Sequence, residues 1–240
     1  NTQDEKVELL AKAGVDHLII HTFTKEFAAV SSDDFIKSIL VEGIKTNKLV
    51  IGYNHHFGRN REGSFEHLKK SAPVYGFEVE EIPAQDIDNI EVSSTKIREA
   101  LIKGDVKTAN KYLGYTYYIT GTVVKGKQIG RSIGYPTANI DINNKYKLIP
   151  ADGVYAVKVE HNGSDHLGML SIGMNPTVNG TQRTIEVNIF NFSKDIYEDK
   201  LKVYFFEKMR NEIKFGSIEA LKEQLALDKI QTLKILEIAD

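Results

Sequence analysis

The 240-residue sequence contains no cysteine and no tryptophan. The lack of cysteine excludes disulfides and thiolate metal sites, and it fits a reducing, cytoplasmic environment. An excess of one charge is also missing: 31 basic and 33 acidic residues leave a net charge of -2, so composition does not favour a nucleic-acid partner. No apolar run approaches the roughly 20 residues of a membrane span. Composition therefore predicts a soluble cytoplasmic protein of one large or two ordinary domains, without membrane or nucleic-acid partners.

The first half of the chain alternates helical and extended patterns. Capping residues predict helices that begin near Thr2 and Ser31, and residues 64–75 also show a helical pattern. Short apolar runs predict strands at residues 16–21, 49–51 and 77–82. This alternation is typical of a parallel sheet with crossover helices, so we predict a Rossmann-like α/β domain over residues 1–112.

Two segments of this half carry candidate binding residues. The loop 52–59, which includes Asn54, leaves the carboxyl end of a predicted strand, where open α/β sheets bind ligands. Residues 93–98 place hydroxyls and a guanidinium at a helix start, a favourable arrangement for an anion: Ser93, Ser94, Thr95 and Arg98. The alternative for this second segment is an ordinary helix cap.

The second half is rich in β-branched and aromatic residues and in turn signals. Strands are predicted at residues 115–124, 153–160, 167–172, 184–190 and 201–206, with Asn-Gly turns at 162–163 and 179–180. Short strands at this spacing predict an antiparallel barrel or sandwich. Two helical stretches follow, one capped by Ser217 and one over residues 229–239.

A glycine-rich segment inside this half carries the strongest local pattern, Gly-Arg-Ser-Ile-Gly-Tyr-Pro-Thr-Ala-Asn at residues 130–139. Gly130 and Gly134 allow close approach to a ligand, and Pro136 fixes the chain path. Thr137 and Asn139 are two residues apart, so an extended chain projects both to one face. Their oxygens are of the kind that Mg²⁺ accepts beside phosphate oxygens. The alternative is a hairpin in which both residues serve the turn.

A second candidate is the acidic residue in the strand at 184–190. Ile185, Val187 and Ile189 share one face, and Glu186 lies on the other. The alternative is a solvated surface side chain. The nearby segment 121–127 spells most of a P-loop, but Gln128 stands where Ser or Thr is required and no helix follows in the predicted pattern, so we exclude that motif.

The glycine-rich segment closely resembles the signature of riboflavin kinases. That resemblance implies a Greek-key barrel with C-terminal helices over residues 113–240, in which Thr137 and Asn139 bind Mg-ATP. It also implies that Glu186 is the catalytic base and that a flap containing Gly126 and Lys127 covers the nucleotide. Residues 207–215 resemble the family's segment beside the flavin, which suggests Arg210 and Phe215 as flavin contacts; a surface ion pair is the alternative for Arg210.

The first half resembles the adenylyltransferase domain of bifunctional riboflavin kinase/FAD synthetases, through the Asn54 loop and the Ser-Ser-Thr-x-Ile-Arg element at residues 93–98. The family's His-x-Gly-His element does not occur in the printed sequence. The chain starts at Asn1 rather than Met, so we expect this domain to be N-terminally incomplete and expect FMN, not FAD, as the product of the chain as printed.

The resemblance implies flavin cofactor biosynthesis: ATP-dependent phosphorylation of riboflavin to FMN, with adenylylation of FMN to FAD by the N-terminal domain of the complete protein. Mg²⁺, ATP and the flavins are the implied ligands. The alternative is a flavin- or nucleotide-binding regulatory module without catalysis. One departure from the family pattern lies at residues 196–198, where Ile-Tyr-Glu replaces Leu-Tyr-Gly, so a positive backbone angle at Glu198 would be strained.

Overall fold

The computed structural model describes residues 1–84, 86–87, 90–126, 129–177 and 180–238, and the described chain forms two compact units. Residues 10–92 form one unit, and residues 1–9 together with 93–240 form the other. Helix α1 (Gln3–Lys12) begins the chain. These compact units are not the same as the two functional domains predicted from the sequence, so the domain boundary predicted at residue 112 stays a prediction.

The unit of residues 10–92 contains a parallel pair of strands with helices around it. Its elements are α2 (Lys25–Ala28), α3 (Ser32–Asp34) continuing into a π-helix (Phe35–Gly43), β1 (Lys48–Gly52), a 3₁₀ turn (Arg59–Arg61), α4 (Phe65–Tyr75), β2 (Glu78–Ile82), β3 (Asp86–Ile87) and β4 (Ile90–Glu91). β1 and β2 pair in parallel. The cap predicted at Ser31 is confirmed, since its side chain accepts a backbone N–H of the helix. The helix predicted at residues 64–75 is also confirmed, and Ser64 caps it.

The strand predicted at residues 16–21 is wrong. The segment has no regular structure and is exposed, with Ile19 and Ile20 at 68% and 64% exposure. A strand needs a neighbour for its backbone hydrogen bonds. Within the described residues, β1 pairs with β2 and neither pairs with this segment, so its apolar sequence alone does not make it a strand.

The other unit is built on a closed antiparallel barrel, as the resemblance implied, and its six strands include one at Ala138–Asp141 that was not predicted. Its elements are α5 (Ser94–Lys103), α6 (Val106–Leu113), β5 (Tyr118–Val124), α7 (Ile129–Ser132), β6 (Ala138–Asp141), β7 (Gly153–His161), β8 (Ser164–Thr177), β9 (Gly180–Ile189), β10 (Lys200–Arg210) and α8 (Ile218–Ile238). The order around the barrel is β10-β5-β6-β9-β8-β7, and every pair is antiparallel. A single helix, α8, replaces the two predicted helical stretches, since nothing interrupts the pattern between them.

Alternation of apolar residues fills the barrel interior. On β9, Ile185, Val187 and Ile189 are buried in the core, as their spacing predicts. The hairpin between β7 and β8 turns at Asn162 and Gly163, whose φ angles of +48° and +76° fit a type I′ turn. The residues between those on β9 therefore face outward, and this face carries the candidate site.

Residues 1–9 join the barrel unit through buried charge. The Lys147 amine lies 2.6 Å from the Glu5 carboxylate and 4.4 Å from the centre of the Tyr117 ring. Lys202 likewise pairs with Glu8. Burial lowers the pKa of Lys147 from its usual value, although Glu5 acts in the opposite direction. Because a buried charge without a partner is strongly destabilising, the pair of Glu5 with Lys147 offsets the cost of burying the amine.

Glu198 lies in a turn with φ +70°, where a side chain is strained, as the sequence predicts. Its N–H donates to the Val123 carbonyl at 2.9 Å, which holds the turn against β5. We expect Glu198→Gly to raise the free energy of unfolding by about 1 kcal/mol, measured by urea denaturation. The control is Lys194→Gly in the same exposed loop, where φ is not positive; this variant should have a lower free energy of unfolding. If the free energy of unfolding falls equally in both variants, Glu198 is not strained.

Candidate active site

The candidate site lies where β6 meets β9 on the outer face of the barrel. Asn139 on β6 pairs directly with Glu186 on β9, so their side chains share a face. The Thr137 hydroxyl donates to the Glu186 carboxylate at 3.0 Å. The Asn188 amide donates to the Pro136 carbonyl at 2.7 Å and fixes the chain just before Thr137. The structure thus brings Thr137, Asn139 and Glu186 together from positions about 50 residues apart.

The glycines beside this cluster are required by close packing. A Cβ on Gly126 would overlap the Asn139 amide, and one on Gly130 would overlap the Tyr135 carbonyl. Gly134 has φ +84°, which favours glycine. Lys127, the other predicted flap residue, lies outside the described residues. Gly126 therefore sets the space in which the Asn139 side chain sits.

We expect Gly126→Ala to displace the Asn139 amide and to lower kcat/KM for the kinase reaction that the sequence resemblance implies by about tenfold to a hundredfold, because small displacements of a positioning group are costly. The thermal midpoint should change little. Gly216→Ala is the matched control, since no atom lies within 4 Å of its added Cβ. Equal activity of both variants would show that Asn139 is not held by Gly126.

A cavity of about 300 Å³ opens at this end of the barrel. Pro136 and Thr137 line one side, and the loop from Phe192 to Tyr197 lines the other. The Lys125 amine lies 5.9 Å from the centre of the Tyr197 ring. Phe192 packs edge-on against His161 and His166, with ring centres 5.7 and 5.1 Å apart. Thr137, which donates to Glu186, thus forms part of the wall of a half-open cavity that can receive a small molecule.

Sequence reasoning missed one side of the cavity wall. Ser193, Lys194 and Asp195 line the cavity and belonged to no predicted site, whereas Arg131 lies inside the predicted glycine-rich segment. The available signal was positional: residues 192–197 directly follow the end of β9, close in the chain to Glu186. Loops that leave a rigid scaffold commonly carry binding residues.

Arg210 and Phe215 are the two residues predicted to contact flavin. Arg210 binds a side chain of α8, and it also lies near the Phe215 ring. The Arg210 guanidinium donates to both carboxylate oxygens of Asp228, with Nε 3.0 Å from Oδ1 and Nη2 2.7 Å from Oδ2. Asp228 also accepts from the Gln224 amide at 2.9 Å. The Arg210 guanidinium lies 5.9 Å from the Phe215 ring centre. Arg210 therefore ties β10 to α8, and its contact with flavin stays a prediction.

The residues predicted for the adenylyltransferase site belong to both units: Asn54 lies in the unit of residues 10–92, and the residues at the start of α5 lie in the other unit. Asn54 is exposed in the loop after β1. Ser93 caps α5, and its hydroxyl accepts the Lys96 N–H at 3.3 Å, while Ser94, Thr95 and Arg98 are exposed at the helix start. Two hydroxyls and a guanidinium at the start of a ten-residue helix are available to an anion. Their role in binding phosphate stays a prediction.

Oxygen ligands suited to magnesium converge where β6 meets β9. Thr137, Asn139 and Glu186 offer hydroxyl, amide and carboxylate oxygens, which are hard ligands. Among the described residues, no group of three His, Cys, Asp or Glu side chains could hold a metal ion. The set therefore fits a metal that arrives with phosphate oxygens better than one held by protein alone.

Comparison with known families covers nearly the whole chain. The riboflavin kinase (Flavokinase) family profile matches residues 113–236, and the FAD synthetase family profile matches residues 1–96. A bifunctional riboflavin kinase/FMN adenylyltransferase from Listeria monocytogenes is 40% identical over 95% of this chain and 72% of its own length. The enzyme of the same description from Haemophilus influenzae is 40% identical over 96% of this chain and 74% of its own length.

A solved structure described as a macrolide-efflux protein from Streptococcus pneumoniae superposes with a TM-score of 0.88 and is 35% identical, covering 96% of this chain and 74% of that chain. The efflux description applies to that protein. In this chain, no helix among the described residues is long and apolar enough to cross a bilayer. The two family profiles and the enzyme relatives agree with the barrel and the parallel pair of strands. The chain belongs to the bifunctional riboflavin kinase/FMN adenylyltransferase family, whose activities supply flavin cofactors from ATP and flavin substrates.

Proposed function

We propose that Glu186 is the general base of the riboflavin kinase reaction and that Thr137 and Asn139 hold Mg-ATP beside it. The observation that carries the proposal is the convergence of these three side chains: Thr137 donates to Glu186 at 3.0 Å, and Asn139 pairs with Glu186 across β6 and β9. Magnesium, when bound with ATP, neutralises charge on the phosphate oxygens.

In this reaction the chain's own residues position two substrates and move one proton. Glu186 accepts the proton of the riboflavin 5′-hydroxyl while the oxygen of that hydroxyl forms a bond to the γ-phosphorus of ATP. The bond between the γ-phosphorus and the bridging oxygen breaks, and ADP leaves. Before substrate binds, the Thr137 hydroxyl holds the Glu186 carboxylate in place. Thr137 also lines the neighbouring cavity, whose walls keep part of the solvent from a bound substrate.

The proposal is tested by the magnesium dependence of FMN formation. We expect Asn139→Ala to raise the Mg²⁺ concentration for half-maximal rate by at least about tenfold, since loss of groups at a metal site costs at least this much in affinity. The exposed Asn143, two residues beyond β6 on the way to the next loop, supplies the control variant Asn143→Ala. An unchanged magnesium requirement in Asn139→Ala would remove Asn139 from the metal site.

For the other activity, we propose that the start of α5 receives phosphate during adenylylation of FMN, through Ser93, Ser94, Thr95 and Arg98, and that Asn54 serves the same reaction. The capped helix start and the exposed guanidinium support this role. The riboflavin kinase profile begins at residue 113, which supports a division of the two activities near residue 112. A cytoplasmic location fits the absence of cysteine. The alternative of a non-catalytic regulatory module has no support from relatives that are named as enzymes.

A further inference from the structure

A row of side chains runs across the outer face of the barrel from the candidate active site. Directly paired residues of antiparallel strands point to the same face. The pairing runs from Asn139 to Glu186, from Glu186 to Ser171 on β8, and from Ser171 to Val154 on β7. Neighbouring strands lie about 4.8 Å apart. Ser171 therefore lies one strand beyond the proposed base, on the side away from Asn139.

A second carboxylate is held at this point of the row. The Ser171 hydroxyl donates to Glu212 Oε1 at 3.1 Å. Gly173, two residues further along β8 and on the same face, would place an added Cβ on top of the Glu212 carboxylate. The serine hydroxyl and the space above Gly173 together fix the Glu212 carboxylate against β8, next to Glu186.

Within the described residues, no ion pair involves Glu212, and Ser171 is its hydrogen-bond donor. A carboxylate accepts up to about four hydrogen bonds, so most of its capacity is available. Helix α8 packs against β7, β8 and β10 and bounds this face beyond Ser171. A ligand that lies along the row meets an acceptor at Glu186 and another at Glu212. Glu186 on β9 and the Glu212 carboxylate, which is held over β8 by Ser171, both repel phosphate, so this side of Glu186 suits a neutral polyol.

We propose that Glu212, held by Ser171, binds secondary hydroxyls of the ribityl chain of riboflavin. The inference rests on the proposed role of Glu186, since the 5′-hydroxyl at that base places the adjoining hydroxyls toward β8. Glu212 then sets both the direction and the depth at which the chain enters. The interaction makes the enzyme selective for a flavin that carries a polyol rather than a simple alcohol chain.

The test compares two substrates, riboflavin and a flavin whose N10 substituent is a 5-hydroxypentyl chain, which keeps the terminal hydroxyl and lacks the three secondary ones. We expect Glu212→Ala to lower kcat/KM for riboflavin by about ten- to a hundredfold and to leave that for the hydroxypentyl flavin within about twofold of the unmodified protein. Ser171→Ala should act in the same direction with a smaller loss. Glu223→Ala, an exposed acid on α8, is the control.

Equal losses on both flavins in Glu212→Ala would overturn the inference, because a folding or general active-site effect does not depend on the secondary hydroxyls. No loss on riboflavin would overturn it as well. Glu186→Gln separates this proposal from the role of the base: it should abolish transfer to both flavins. If Glu186→Gln stays active, the proposed function fails; if only Glu212→Ala is without effect, the proposed function stands and the ribityl contact fails.

Discussion

Glu186→Gln is expected to lower kcat for riboflavin phosphorylation by about 10² to 10⁴-fold, the usual contribution of a general base. The amide has the size of the carboxylate but does not accept the hydroxyl proton. The Thr137 hydroxyl, now 3.0 Å from the carboxylate, can donate to the amide oxygen instead. The fold should therefore persist, and circular dichroism and the thermal midpoint should match the unmodified protein.

The measurement is the steady-state rate of FMN formation, with flavins separated by chromatography. Glu223→Gln on α8 is the control for a change of one acidic group and should keep full activity. Binding of ATP to Glu186→Gln should change little, since the nucleotide is assigned to Thr137 and Asn139. Near-normal turnover in Glu186→Gln would exclude Glu186 as the base.

Asp228→Ala is expected to lower the free energy of unfolding by about 3 kcal/mol. The Asp228 side chain is 1% exposed and accepts hydrogen bonds from Arg210 at both carboxylate oxygens; the Arg210 side chain is 20% exposed. Removal of the acid leaves a largely buried guanidinium without its charged partner and a space in the interface between β10 and α8. Since small domains are stable by only about 5–15 kcal/mol, the loss should be plain in urea denaturation.

Asp228→Asn is the matched comparison, because the amide keeps one acceptor oxygen for Arg210 and fills the same volume. Asp228→Asn should therefore lower the free energy of unfolding by less than Asp228→Ala does. If Asp228→Ala unfolds within 1 kcal/mol of the unmodified protein, the pair contributes little and Arg210 is free to serve the flavin instead. In that case Arg210→Ala should affect riboflavin KM rather than stability.

Local patterns predicted those elements whose neighbours in sequence fix them. The alternation of Ile185, Val187 and Ile189 with Glu186 gave the orientation of β9, because a strand's two faces follow from its spacing alone. Ser31 and Ser93 gave helix starts, because a cap acts within three residues. The two residues before and within β6, Thr137 and Asn139, were placed on one face for the same reason.

Features that depend on distant partners were not predictable in this way. The prediction of a strand at residues 16–21 was wrong, because a strand requires hydrogen bonds to a neighbouring strand and an apolar composition alone does not provide them. The ion pair of Glu5 with Lys147 joins residues 142 positions apart, and nothing local marks either side chain. Likewise the anchoring of Arg210 by Asp228 depends on how α8 lies on the barrel, and the cavity wall at 192–197 depends on barrel closure.

The most direct test of the account is to incubate the purified chain with riboflavin, ATP and Mg²⁺ and to separate the flavins over time. The account predicts that FMN accumulates, that ADP forms in equal amount, and that Glu186→Gln yields neither. Riboflavin that stays unconverted by the folded, flavin-binding protein would contradict it, and so would equal FMN formation by the unmodified chain and the Glu186→Gln variant.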